Sequence, residues 1–255
     1  MNSNRTIAIT GVSSGIGAAT ARACASLGFH LMLGARRVDR LEAIASSLRT
    51  QFGVKVEMHA LDVQDGASVR SFFDKTRENF GGIDALVNNA GLGLGRDAIA
   101  AARLEDWQTM YDTNVLGVLR VTQAFLPGLI ERKGHVVNVG SIAGREVYEG
   151  GAGYGGTKFA LRAFTKTLRQ ELFGKGVRVT SIDPGMVETE FSEVRFGGDK
   201  EMAKAVYQGM TPLVAEDVAR AIAFVLSQPP HVNIDEILIT PTDQVSATRV
   251  FRKND

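Results

Sequence analysis

The chain has 255 residues of ordinary globular composition, which excludes several classes of protein. Hydrophobic residues make up 44% and charged residues 22%, and the formal net charge of +1 gives no electrostatic reason to expect nucleic acid. We identify no apolar run of membrane-spanning length, and residues 1–5 lack the charged-then-apolar order of a signal peptide. We therefore expect a cytoplasmic protein with no membrane partner, folded as one domain over residues 1–255. No metal-ligand pattern is identified, and Cys24, the only cysteine, excludes an internal disulfide and lies in an alanine-rich helical run typical of core packing.

The first unit of the chain is predicted to be a strand, a glycine turn and a helix. Residues 6–10 form a short β-rich run, glycines follow at 11, 15 and 17, and an alanine-rich helical run ends at Gly28. Glycines at such a turn let the backbone approach a pyrophosphate, which the amides and dipole of the helix start stabilise. Alternatively, the glycines only satisfy a positive φ. A second strand at 30–34 completes a βαβ unit, which favours dinucleotide binding.

Arginines occupy the end of the second strand, where a ribose-binding acid is typical of NAD sites. Ala35 is followed by Arg36 and Arg37. Loss of the acid and gain of a guanidinium favour the 2′-phosphate of NADP over NAD, and only one of the two arginines needs to contact it. The alternative is that both arginines are solvated residues at the start of the next predicted helix, 39–51.

The remaining patterns alternate between strands and helices. The predicted strands are 55–61, 84–88, 135–140, 177–183 and 236–240, and the predicted helices are 65–80, 104–131, the Tyr154 helix and 216–227. This order predicts an α/β fold with a doubly wound parallel sheet. Asp62 and Val63 lie where an adenine could be contacted, although Asp62 could equally cap a helix. The turn Asn89-Ala90-Gly91 lets backbone lie close to a cofactor or to a neighbouring strand.

Tyr154 and Lys158 lie four residues apart on a predicted helix, so the phenol and the ammonium share one face. A nearby cation favours the phenolate, and we therefore expect Lys158 to lower the pKa of Tyr154 toward a range that suits alcohol or carbonyl chemistry. Such pairs also occur by chance on amphipathic helices. Ser141 strengthens the catalytic interpretation, because it follows an apolar strand and so lies at the carboxyl edge of a parallel sheet, where ligands bind.

These motifs together resemble the single-domain branch of the short-chain dehydrogenase/reductase family over nearly the whole chain. The family's order and spacing are matched by Thr10-Gly-Val-Ser-Ser-Gly-Ile-Gly17, Asn88-Asn-Ala-Gly91, Asn114, Ser141, Tyr154 with Lys158, and Pro184-Gly185. The resemblance implies a seven-stranded Rossmann-type sheet with helices on both faces and a nicotinamide cofactor. No basic residue precedes Gly15, where many NADP-using members carry one, so the NADP prediction depends on Arg36 and Arg37.

The resemblance also implies roles for individual residues and a homo-oligomer, dimer or tetramer. Tyr154 is the proton donor or acceptor, Ser141 holds the carbonyl oxygen, Lys158 binds the nicotinamide ribose, and Asn114 places a water in a proton relay. A lone Asn in a helix is otherwise more often a packing choice. The predicted cofactor-binding residues are Gly11, Ser13, Ser14, Gly15, Ile16, Gly17, Arg36, Arg37, Asp62, Val63, Asn89, Ala90, Gly91, Tyr154, Lys158, Pro184, Gly185, Val187 and Thr189.

Later stretches, 189–199, 231–234 and 241–244, resemble NADP-dependent 3-hydroxy acid dehydrogenases of the serine dehydrogenase type. This resemblance implies a small 3-hydroxy acid or its oxo form as substrate, with specificity set by the loop 145–149 and the span 186–212. A carboxylate in a partly dry pocket needs a cation, so we expect an arginine to pair with it, Arg195 first and Arg145 second. The alternative for Arg195 is an ordinary ion pair with Glu193 or Asp199.

The same residues also bear on other classes of function. A catalytically silent NADP-binding protein would not need Ser141, Tyr154 and Lys158 together. A membrane-associated reductase of steroids or retinoids would need an anchor or an apolar substrate loop, whereas the start of this chain is polar and the loop is charged. A general aldehyde or ketone reductase stays open, as does isomerase or dehydratase chemistry on the same fold.

Overall fold

The computed structural model describes residues 5–253. Residues 1–4, part of the stretch that argues against a signal peptide, lie outside the described residues. The strands are β1 (Thr6–Thr10), β2 (His30–Ala35), β3 (Val56–Ala60), β4 (Ala85–Asn88), β5 (His135–Val139), β6 (Arg178–Pro184), β7 (Val187–Glu188), β8 (Leu213–Val214) and β9 (Glu236–Ile239). The helices are α1 (Gly15–Ser26), α2 (Val38–Phe52), α3 (Gly66–Phe80), α4 (Leu104–Tyr111), α5 (Val118–Glu131), α6 (Ala152–Glu171), α7 (Glu190–Arg195), α8 (Lys200–Ala205) and α9 (Ala215–Ser227).

Seven strands form one parallel sheet in the order β3-β2-β1-β4-β5-β6-β9. The chain moves outward from β1 to β3 and then returns to pair β4 with the other side of β1. A crevice opens at this reversal, outside the carboxyl ends of β1 and β4, and open α/β sheets bind ligands at such a point. The predicted doubly wound, seven-stranded parallel sheet is confirmed.

The sheet separates two hydrophobic clusters, as alternating side chains on buried strands require. In β1, Ile7 and Ile9 pack on the face covered by α1, α2 and α9, whereas Ala8 packs on the face covered by α3 and α5. Cys24 belongs to the first cluster, and complete burial raises the pKa of its thiol to about 12. Its place in the core agrees with the packing role expected from the sequence.

The predicted helix 104–131 is continuous but not regular. A π-helical turn, Asp112–Gly117, joins α4 to α5. By length and composition this helix could cross a membrane, with a mean hydropathy of 1.2 over its most apolar window, so the expectation that no run reaches spanning length was wrong. In the fold its apolar side chains Val121, Phe125 and Leu129 are buried against the sheet. The composition is that of a core helix.

The span 186–212, for which the sequence predicted a loop beside the active site, contains β7, α7 and α8. Thr189 is the N-cap residue of α7, and its hydroxyl accepts a hydrogen bond from the amide of Phe191. Asp199 is the N-cap residue of α8, and its carboxylate accepts hydrogen bonds from the amides of Glu201 and Met202. Threonine and aspartate are favoured at this position because their side chains satisfy amides of the first helical turn.

Candidate active site

A cavity of about 480 Å³ follows the carboxyl ends of the central strands. One end lies at Arg36 and Arg37 after β2, and the other at Ser141 and Tyr154 beyond β5. The span 186–212 covers the cavity between these ends. Its size and position suit a small-molecule site in an open α/β sheet.

The glycine turn after β1 has the backbone that the sequence predicts. Gly11 and Gly15 adopt φ values of 71° and 54°, which disfavour any residue with a Cβ. The side-chain amide of Asn89 donates to the carbonyls of Thr10 (2.9 Å) and Gly11 (3.1 Å) and so holds the turn against the end of β4. Gly17 differs from its predicted role. It does not line the cavity, and a Cβ there would meet the Gly11 carbonyl at 2.3 Å, so it is needed for helix packing.

The two predicted phosphate-binding arginines have different surroundings. The Arg37 guanidinium donates to Ser13 and Ser14 on the glycine turn and to the Glu190 carboxylate, with distances of 2.8 to 3.1 Å. Arg40 donates to the other oxygen of Glu190 at 2.6 Å. These pairs, the Arg37 hydrogen bond first, lower the pKa of Glu190 to about 2.

Arg36 makes no side-chain hydrogen bond or ion pair with any residue from 5 to 253, and it lines the cavity. Its guanidinium is therefore the one available to an incoming anion. The Asp62 carboxylate accepts from the amide of Gln64 at 3.0 Å, while Asp65, three residues later, caps α3. The helix-cap alternative for Asp62 was thus wrong. Asp62 and Val63 both line the cavity.

Tyr154, Lys158 and Ser141 meet at the other end of the cavity. The Ser141 hydroxyl accepts from the amide of Ala143 at 3.1 Å, and the Lys158 ammonium donates to the Val139 carbonyl at 2.8 Å. Lys158 lies under Tyr154, with 5.7 Å between its nitrogen and the ring centroid. Ser141 comes from the turn after β5, and Tyr154 and Lys158 come from α6, as the sequence predicts.

The pKa of Tyr154 differs from the sequence expectation. Burial raises it, and the Ser141 side chain and the charge of Arg195 act in the opposite direction. Lys158 was expected to lower this pKa, but burial lowers the pKa of Lys158 itself to about 8, with the nearby Asp183 opposing the change. Desolvation therefore dominates at both groups.

Asn114 is buried in the π-helical turn and does not line the cavity. Its side-chain oxygen accepts from the Leu92 amide at 2.9 Å, and its nitrogen donates to the Leu92 carbonyl and to the Thr157 hydroxyl. These bonds fasten the segment after β4 to the helix of Tyr154. The side chain positions the backbone beside the reacting groups.

Arg195 lies directly at the substrate end. Its Cζ is 5.4 Å from the ring centroid of Tyr154, and its guanidinium donates to the Gly95 carbonyl (3.1 Å) and the Tyr148 hydroxyl (3.1 Å). No carboxylate of residues 5–253 lies within 4.0 Å of it, so the proposed ion pair with Glu193 or Asp199 is not formed.

Arg145 is directed elsewhere. Its guanidinium pairs with Asp183 and Glu236, both at 2.6 Å, and it does not line the cavity. The prediction that Arg145 is the second candidate to pair with a substrate carboxylate was therefore wrong, because two carboxylates of the protein already neutralise its charge. These partners lie on β6 and β9, far from Arg145 in sequence, and no local pattern could reveal them.

Among the cavity residues that sequence reasoning did not single out, four bear directly on its charge or on Tyr154. Glu190 and Phe191 come from α7, and Phe191 packs edge-on against Tyr154 with ring centroids 5.3 Å apart. Arg96 and Tyr148 line the substrate end. Tyr148 lies in the loop 145–149, and Glu190 and Phe191 lie in the span 186–212, both of which were expected beside the active site, whereas Arg96 had no such signal.

A parallel sheet whose glycine turn, serine, tyrosine and lysine line one cavity defines a dinucleotide-dependent oxidoreductase. The sequence profile described as short chain dehydrogenase matches residues 5–198. The chain belongs to the short-chain dehydrogenase/reductase family.

Similar proteins within the family indicate the cofactor and the kind of group on which the enzyme acts. The chain is 46% identical over 251 residues to serine 3-dehydrogenase of Rhizobium radiobacter, covering 98% of this chain and 99% of that protein. It is 45% identical over 240 residues to sulfoacetaldehyde reductase 2 of Chromohalobacter salexigens, covering 93% and 94% of the two chains. The solved closed form of serine dehydrogenase complexed with NADP⁺ superposes with a TM-score of 0.90 at 39% identity, covering 98% of this chain and all of that one. The protein is an NADP-dependent oxidoreductase that acts on CH–OH groups.

The residues of the cavity fit NADP(H). All predicted cofactor-binding residues except Gly17 line it. Arg36 has an unpaired guanidinium among residues 5–253 and would hold the 2′-phosphate, and the first amides of α1, which no side chain of the described residues caps, would hold the pyrophosphate. Lys158 and Tyr154, at the other end of the cavity, would hold the nicotinamide end.

Proposed function

We propose that this enzyme interconverts a small 3-hydroxy acid and its oxo form. Arg195 carries the proposal, because its guanidinium lies over Tyr154 and no carboxylate among residues 5–253 lies within 4.0 Å to neutralise it. A charge in this position suits a carboxylate that must give up its hydration on entering the cavity. The relatives support an anionic substrate, since serine is a 3-hydroxy acid and sulfoacetaldehyde carries a sulfonate.

The chain's residues handle the proton and the oxygen, while bound NADP(H) supplies or accepts the hydride. In reduction, Tyr154 gives its proton to the carbonyl oxygen as the carbon gains the hydride. The raised pKa of Tyr154 keeps the phenol protonated and ready to donate. In oxidation the phenol must first lose its proton, and Ser141 and Arg195 favour that state because both lower its pKa.

Ser141 is proposed to hold the substrate oxygen. The Ala143 amide uses one acceptor position of its oxygen, so the hydroxyl proton, which can favour the Tyr154 phenolate, can also be donated to the substrate oxygen. Lys158 is proposed to bind the nicotinamide ribose, and Asn114 to hold the backbone of Leu92 beside it. The span 186–212 is proposed to be the substrate loop of a single domain.

The experiment compares 3-hydroxypropanoate with its methyl ester in the unmodified enzyme and in the Arg195→Ala variant. We expect kcat/KM for the acid to fall about 10- to 100-fold in the variant, as loss of a charged hydrogen bond implies, while kcat/KM for the ester changes little. Arg195→Lys keeps the charge and should recover part of the loss. Equal turnover of acid and ester by the unmodified enzyme would contradict the proposal and leave a general aldehyde or ketone reductase.

We also propose a cytoplasmic homo-oligomer, a dimer or a tetramer. Tyr111, Leu116 and Phe159 are large apolar side chains exposed on neighbouring helical elements, and their burial between copies of the chain would stabilise such an assembly. Sedimentation velocity at micromolar protein measures the assembly, and a single monomeric species contradicts it.

A further inference from the structure

A second arginine lies beside Arg195 at the substrate end of the cavity. Arg96 lines the cavity, and its Cζ is 5.6 Å from the ring centroid of Tyr148. The Cζ of Arg195 is 5.9 Å from the same centroid. The two guanidinium groups therefore share one aromatic neighbour, which each can approach as a cation approaches a π-system.

Backbone hydrogen bonds bring the two arginines together. The Gly95 amide donates to the Arg195 carbonyl at 3.0 Å, and the Arg195 side chain donates back to the Gly95 carbonyl at 3.1 Å. Arg96 follows Gly95 directly in the chain. The end of α7 is thus fastened to the segment after β4 next to the residue that carries the second cation.

No counter-ion accounts for this pair of charges. Within residues 5–253, no carboxylate lies within 4.0 Å of either guanidinium, although Arg37, Arg40 and Arg145 all have such partners. Two like charges that share one aromatic neighbour repel each other, although solvent screens the exposed Arg96, and a bound anion would offset that repulsion. The arrangement is typical of an anion site.

We infer that Arg96, Tyr148 and Arg195 form a subsite for the terminal anionic group of the substrate, with Arg96 determining how well a sulfonate is accepted. This inference rests on the proposed anionic substrate and adds a specificity-determining residue to it. A carboxylate has two oxygens, which one guanidinium can engage in bidentate fashion. A sulfonate has three oxygens, so the third is available to a second guanidinium.

The test uses three substrates of similar size that differ at one end: 2-hydroxyethanesulfonate, 3-hydroxypropanoate and methyl 3-hydroxypropanoate. In Arg96→Ala we expect kcat/KM to fall about 10-fold for the sulfonate, mainly through KM, about 2- to 3-fold for the carboxylate, and not measurably for the ester. Arg96→Lys should recover part of the sulfonate activity. The inhibition constant of ethanesulfonate, which has no reacting hydroxyl, should rise about 10-fold in Arg96→Ala.

Arg103→Ala is the matched control, since Arg103 is an exposed arginine near Arg96 in sequence but outside the cavity. Equal losses with all three substrates in Arg96→Ala would show a structural role and overturn the inference, as would no loss with any. The inference is also overturned if the unmodified enzyme does not turn over 2-hydroxyethanesulfonate and is not inhibited by ethanesulfonate. If Arg195→Ala loses activity selectively with the acids while Arg96→Ala does nothing, only this inference fails. Equal turnover of acid and ester by the unmodified enzyme, or a preference for the ester, is the separate result that removes the proposed function.

Discussion

The two ends of helix α7 contact opposite ends of the cavity, and they differ in how their charges are neutralised. At its start, Glu190 pairs with Arg37 and Arg40 across the cofactor end. At its last residue, the Arg195 side chain donates, among residues 5–253, only to a carbonyl and a phenol at the substrate end. An acid that is paired within the protein can close the span 186–212 over the glycine turn, whereas an unpaired cation is free to bind a ligand.

The substrate end should show the largest effect of a single change. Tyr154→Phe removes the proposed proton donor, and acid–base groups contribute on the order of 10²–10⁴-fold, so kcat should fall by at least about 100-fold. NADPH affinity should change far less than kcat, which titration of NADPH fluorescence measures. Tyr207→Phe is the control, because it removes another cavity hydroxyl, bonded to Ser192 and the Val187 carbonyl. A Tyr154→Phe enzyme with more than about a tenth of the original kcat would remove tyrosine from the role.

At the cofactor end, the two arginines should separate phosphate recognition from closure. Arg36→Ala should weaken NADPH binding by about 100-fold and leave NADH unchanged, because the unpaired guanidinium is the one available to the 2′-phosphate. Arg37→Ala should weaken both cofactors alike by a few-fold, since its partners are Ser13, Ser14 and Glu190. Dissociation constants of NADPH and NADH, measured for both variants and the unmodified enzyme, show which arginine binds the phosphate. A phosphate-specific loss in Arg37→Ala alone would reverse the assignment.

The smallest expected effect tests the contact between Glu190 and Arg37. Both side chains are about half exposed, so Glu190→Gln should speed NADPH release only about 2- to 5-fold in stopped-flow displacement. Glu193→Gln on the same helix is the control. Tighter NADPH binding in Glu190→Gln would instead show that Glu190 competes with the 2′-phosphate for Arg37.

Salt and pH sharpen that test. Pairing lowers the pKa of Glu190 from 4.5 to about 2. The stabilisation that the charged Glu190 gives to the folded contact with Arg37 is therefore complete above pH 4.5 and is lost as the pH falls toward 2. NADPH release should therefore respond to Glu190→Gln equally at pH 6 and pH 8. Salt screens partly exposed pairs, so about 0.5 M NaCl should reduce the difference between the variant and the unmodified enzyme.

Local patterns, together with the family resemblance, were enough to predict the fold and about half of the residues that line the cavity. Glycine turns, apolar strand runs and helix-ending glycines are short-range signals, and they placed the strands with only small differences at their ends. Ser141, Tyr154 and Lys158 were found because a parallel sheet directs the ends of its strands to one edge.

The remaining features depend on contacts that sequence spacing does not contain. Arg145 pairs with Asp183 and Glu236, which are 38 and 91 residues away, so its charge looked available in the sequence. The pKa of Tyr154 depends on burial, and the spacing to Lys158 carries no information about desolvation. The pairing of Glu190 with Arg37 spans 153 residues and left no local signal.

The π-helical turn Asp112–Gly117 makes chain length at this point more critical than residue identity. A π turn holds an extra residue relative to an α-helical turn. Deleting one residue there would let α4 and α5 join as one regular helix with nearly the same relative orientation, because the widened turn already absorbs the extra residue. Phe125 should therefore stay buried, whereas the widened turn that lets Asn114 bond to Leu92 and Thr157 would be lost. Substitutions at exposed positions of this helix should be tolerated, whereas single-residue deletions in the turn should keep folded protein but lose activity.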